Sequence, residues 1–116
     1  MSPLKTAVAA AAVAAVLSFG AYAGESGVTP DQIAAAETPA QHEAIASAFE
    51  QEAARLEAKA KEHERMAQAY RSAASKKGMN EASMRAHCAK LARQYADAAA
   101  ENRALAKEHR AMTKSP

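Results

Sequence analysis

An all-α fold, specifically an alanine-rich antiparallel two-helix hairpin, is predicted by three observations on this 116-residue chain. Alanine and larger apolar residues recur every seven positions through two long stretches. One clear break separates the stretches. No segment alternates apolar with polar residues as a half-buried strand would.

The first 23 residues read as a cleaved signal peptide. Lys5 supplies a basic start, residues 6–20 form an alanine-dominated apolar run, and Ala21-Tyr22-Ala23 is the small-x-small pattern cut by signal peptidase, which places cleavage between Ala23 and Gly24. The run is short for a bilayer span and has no basic flank to stop transfer. A periplasmic location follows as an expectation, with no membrane association after cleavage. Beyond residue 23, one Lys is lost from the 15 basic residues, so 14 face 13 acidic ones, a net charge of +1. Nothing there resembles the clustered basic face that nucleic acid or an anionic membrane requires. In "ARLEAKAKEHER" acids and bases interleave instead, as on a solvated helix with i,i+4 pairs.

Residues 24–38 read as a flexible leader and a short helix, and residues 39–116 as the hairpin. "TPDQ" at 29–32 and "TPAQ" at 38–41 repeat one helix-start signal: Thr as N-cap, Pro in the first turn, Gln three residues after the cap. The first predicts a helix from Pro30 to about Glu37, ended by Pro39; the second, one from Pro39 to about Ser75. "SKKGMN" at 75–80 is the break. Gly78 suits a left-handed cap, the lysines suit a helix C-terminus, and Asn80 can cap a final helix from Glu81 to about Met112.

The seven-residue repeats define seams. On the first long helix they are Ala46, Ala53, Ala60, Ala67 and Ala74, interleaved with His42, Phe49, Leu56, His63 and Tyr70. On the second, the seam reads Met84, Cys88, Leu91, Tyr95, Ala98, Asn102, Leu105, His109 and Met112. Such heptads specify left-handed supercoiled packing. So much alanine buries little apolar area, which predicts homodimerisation into a four-helix bundle.

Folding the hairpin about its break sets His63 opposite His87, Met66 opposite Met84 and His42 opposite His109. "HERM" on one helix thus mirrors "MRAH" on the other, with each His and Met sharing a helix face at i,i+3. Imidazole and thioether donors, with the thiol of Cys88 beside them, suit a soft ion. The expected cofactor is Cu(I), held by His63, Met66, Met84 and His87 with Cys88 accessory, for buffering or delivery. His42 and His109 form a second, weaker candidate pair about 31 Å along the helix, too far to share the ion. A loop centred on Lys77 would slide the register by one turn and set His87 nearer Met66 or Ala67.

Each of these residues also has an ordinary role. Met84, and Cys88 as a small hydrophobe, can fill a seam. His63, His109 and Asn102 can be polar seam residues that fix register. The competing function is therefore a structural or interaction module of the periplasm, meeting a protein partner through its helical faces. Non-covalent haem is a minor alternative, since no Cys-x-x-Cys-His is present and an alanine seam leaves little room for a macrocycle. The lone cysteine forms no internal disulfide. No nucleophile elbow or glycine-rich phosphate loop occurs, and Cys88 and His87 diverge by about 100° around a helix, so no enzymatic activity is expected.

Overall fold

The computed structural model describes residues 27–73, 78 and 80–114. Among them are three helices and no strand: α1 (Pro30–Ala35), α2 (Pro39–Ser72) and α3 (Glu81–Met112). The signal-peptide prediction lies outside the described residues. Within them, no helix is long and apolar enough to cross a membrane.

Both repeated start signals form reciprocal capping boxes. Thr29 Oγ1 accepts from the Gln32 amide at 3.2 Å while Gln32 Oε1 accepts from the Thr29 amide at 2.9 Å. Thr38 and Gln41 do the same at 3.2 and 3.0 Å, and Gln41 Oε1 also accepts from the Glu37 amide at 2.8 Å. The boxes satisfy amides that the first turn leaves free. They also shorten α1, which ends at Ala35 rather than near Glu37. Ala36 must be extended (φ −73°, ψ 116°) to lead the chain into the extended Thr38 cap, a conformation that Pro39 imposes on its predecessor. At the break, Gly78 has φ +84°, the left-handed conformation expected of it. Asn80 Oδ1 accepts from the Ser83 amide at 3.2 Å and opens α3 at Glu81, as anticipated. The end of α2 comes at Ser72, short of the expected 75, with Ala73 as cap.

α2 and α3 pack along their length as an antiparallel pair. Of the eleven buried apolar residues among those described, seven are alanines, so the interface is one of small side chains and close backbones. The α2 seam follows expectation in part: Ala46, Phe49, Ala53, Leu56 and Ala60 are buried, while His42, His63, Ala67 and Tyr70 are half-buried. Ala74 lies outside the described residues, and Ile45 and Ala48, beyond the expected seam, are buried as well. The α3 seam differs by one column. Cys88, Tyr95, Asn102 and His109 do face α2, but their companions are Ala92, Ala99 and Ala106, each one residue beyond the expected Leu91, Ala98 and Leu105. The reason is steric. Three alanines set against the α2 alanines let the helices approach closely, whereas leucines there would hold the backbones apart and leave the alanine column facing a void. Leu91, Leu105, Met84 and Met112 are left at the surface.

The alanine side of the hairpin carries the ion pairs that set register. Arg110 reaches Glu50 at 2.9 Å and Glu43 at 3.4 Å, and Arg103 reaches Glu57 at 2.6 Å. Both helices advance seven residues between these rungs. With His109 seated between His42 and Phe49, and His63 beside Tyr95 rather than His87, the register is nearest the one expected for a loop centred on Lys77. Sliding one further turn would set Arg103 against Lys61 and Arg110 against Ala54, which removes the attraction and adds repulsion. Exposed pairs of this kind add little stability, so their contribution is to alignment. At the opposite end from the break, Val28 and Ala36 fold back onto the cluster of Ile45, Ala46, Phe49 and Ala106.

Candidate functional site

The two ends of the hairpin contain its histidines in different arrangements. At the end away from the break, His109 inserts between His42 and Phe49, one heptad apart on α2. Its ring lies 5.9 Å from that of Phe49, nearly parallel at 25°, and 5.4 Å from that of His42 at 32°. The His42 and His109 Nδ1 atoms are 3.1 Å apart, so one donates and the other accepts. His109 is 8% exposed. Burial first, and the neighbouring His42 second, hold its pKa below the usual 6.5.

Near the break, His63 stacks on Tyr95, with centroids 5.3 Å apart and planes within 13°. Its Nδ1 is buried without a hydrogen-bond partner. Cys88 is buried in the seam and heptad packing sets it between His63 and Tyr70. His87 is exposed, as are Met66 at 39% and Met84 at 41%. Of the five residues of the expected copper cluster, Cys88 is buried, His63 is half-buried with Tyr95 as its ring partner, and Met66, Met84 and His87 are exposed; the histidines in contact are instead His42 and His109. Among the described residues, no three His, Cys, Asp or Glu side chains form a metal-binding group. Asn102 does not bridge the helices: its side-chain amide donates to Ala98 O on its own helix at 2.9 Å.

Sequence reasoning missed the outer face of α3. Met84, Leu91, Leu105 and Met112 are 41%, 38%, 45% and 47% exposed, and with half-buried Ala98 they form one column at seven-residue spacing. The column runs about 42 Å at 1.5 Å per residue. Helical geometry sets it on the side away from the Glu–Arg rungs, beside the α2 column of Ile45, Glu52, Lys59 and Met66. The available signal was the presence of two adjacent apolar columns on α3, only one of which a single neighbour can cover. Scattered surface leucines are ordinary; here two leucines and two methionines are exposed along one helix column.

Fold and face together define an alanine-coiled helical hairpin with an unpartnered apolar ridge. No protein-family model, curated protein or solved structure matches the chain.

Proposed function

We propose that the protein is a helical interaction module that docks through the apolar column of α3. The observation that carries this reading is the alignment of Met84, Leu91, Leu105 and Met112, all more than a third exposed, on a column that the hairpin's own core meets at Ala98. Large apolar side chains held in a line by a rigid helix suit helix-against-helix recognition, in which heptad knobs enter a partner's holes. A photo-crosslinking residue at Leu91 or Leu105 is expected to give discrete crosslinked species in cells, while one at Ala54 on the outer surface of α2 gives none. Absence of species from 91 and 105, or equal yields from all three positions, overturns the docking role.

A second reading, soft-metal binding with Cu(I) as the expected ion, draws support from two features. The 3.1 Å between the His42 and His109 nitrogens approaches the about 3.3 Å that two imidazoles span on a tetrahedral ion. The unpartnered Nδ1 of His63 is a buried nitrogen free to bind an ion, on the helix that also carries Met66. Titration with Cu(I) against a competing chelator tests it. Stoichiometric binding lost in His42→Ala and His109→Ala assigns the pair; loss in Met66→Leu and Met84→Leu assigns the cluster near the break. Binding indifferent to all four substitutions, or none, ends the metal reading.

A further inference from the structure

The α3 ridge reads the same in both directions. From Met84 the column runs Met, Leu, Ala, Leu, Met, with Ala98 at its centre. We infer that its occupant is a second copy of this chain, antiparallel, with a two-fold axis passing by Ala98. This inference rests on the docking role proposed above and names its partner.

In that arrangement Leu91 meets the partner's Leu105, Met84 meets the partner's Met112, and Ala98 meets itself, the self-complementary contact that an isologous interface requires. The flanking columns agree with it. In antiparallel helix pairs each flank faces its own counterpart. The outer flank of α3, His87, Gln94, Glu101 and Glu108, then matches His87 to the partner's Glu108 and Gln94 to the partner's Glu101. On the inner flank, Tyr95 meets the partner's Asn102.

The placement of α2 supplies a second, independent argument. Around the α3 axis the centre of the α2 interface lies between the Tyr95 and Ala99 columns, and the ridge lies one to two columns away, roughly a quarter turn. A two-fold axis perpendicular to the helices therefore brings both α2 helices to the same side of the α3 pair and closes a square of four alternating helices. A parallel copy would leave the α2 helices on opposite sides and close nothing. Ala98 packs at the level of Ala53 and Leu56, so the axis crosses α2 between Glu52 and Lys59. Glu52 of each copy then faces the partner's Lys59, a charge pair centred on the same axis as the α3 ridge. The residues turned toward the middle of such a bundle are the large members of both seams, Phe49, Leu56, His63 and Tyr95. A lone hairpin covers His63 and Tyr95 only in part.

The test uses the purified protein carrying Cys88→Ser, with one new cysteine at a time and a short bifunctional maleimide. Ala98→Cys is expected to crosslink to itself. Leu91→Cys and Leu105→Cys alone are expected to crosslink poorly, and their mixture at least about tenfold better, because only the mixture brings the thiols together at the high effective concentration of one interface. Self-crosslinking of Leu91→Cys and of Leu105→Cys as efficient as that of the mixture overturns the antiparallel register. Sedimentation as a monomer at high micromolar concentration, for the unsubstituted protein, overturns the second copy altogether. Photo-crosslinks from position 91 to a different protein would then leave the docking role standing and this inference fallen. Helical circular dichroism of each cysteine variant excludes unfolding as the cause of any lost crosslink.

Discussion

His42 and His109, 67 positions apart in sequence, present their Nδ1 atoms to each other at 3.1 Å across the α2–α3 seam. One hydrogen bond between two like nitrogens needs one proton on the line between them. The pair tolerates a neutral state or a single charge. Two imidazolium rings would point two N–H groups at each other.

Stability is therefore expected to fall on mild acidification. His109 is depressed below 6.5 in the folded chain, so the folded state resists the proton that the unfolded chain accepts. The stabilisation is present above pH 6.5 and is lost as pH drops from 6.5 through the lowered folded value. Thermal unfolding at pH 7.5 and pH 5.5, with chelator in both buffers, should show a lower midpoint at pH 5.5. His109→Gln should flatten that difference. An unchanged midpoint in the parent protein would contradict the buried neutral ring.

The one-column shift of the α3 seam makes opposite predictions for neighbouring residues. Ala99→Leu forces a large side chain between close backbones and should cost about 1–3 kcal/mol. Leu105→Ala, on the exposed ridge, should leave the unfolding free energy of the isolated hairpin within about 0.5 kcal/mol. Denaturant melts at low protein concentration measure both, and the reverse order of effects would restore the leucine seam.

Alignment by charge is open to a swap. Arg103→Glu places two carboxylates at a 2.6 Å rung and should lower the thermal midpoint at low salt. Adding Glu57→Arg should restore it. Glu57 has its pKa lowered mainly by the hydrogen bond from Arg103, so that carboxylate should titrate nearer its usual value in Arg103→Ala, as followed by NMR. Failure of the swap to restore stability would mean that packing alone sets the register.

Thr38→Ala removes the acceptor of the Gln41 amide at the head of a 34-residue helix. A loss of about 1 kcal/mol is expected in thermal or chemical melts. Thr29→Ala, on a six-residue helix, should change far less.

Local punctuation was well legible in the sequence, because caps are short-range chemistry. Thr29, Thr38 and Asn80 cap as their neighbours dictate, Gly78 takes its left-handed conformation although Ala73 is the cap of α2, and the α2 heptads locate most of its buried face. The α3 seam was not legible, because two apolar columns lie side by side and a pattern rule favours the bulkier one. Choosing between them needs the partner helix, whose alanines reward close approach over side-chain volume. The candidate sites divide similarly. Mirror spacing about the break was enough to pair His42 with His109. It did not reveal that Tyr95 takes the place beside His63, since the register is nearest the one for a loop centred on Lys77, and each seam residue of α3 fills a hole between two heptad positions of α2.

The paired alanine columns make the hairpin's tolerance to change lopsided. Ala46, Ala53 and Ala106 have no exposed surface, and in each case the smallest chiral side chain already fills the space. Such a seam has almost nothing left to lose by trimming and no slack for growth. Its integrity over many generations depends on keeping these positions small. The ridge outside can meanwhile change its side chains, and with them what it meets, without disturbing the pair of helices that carries it.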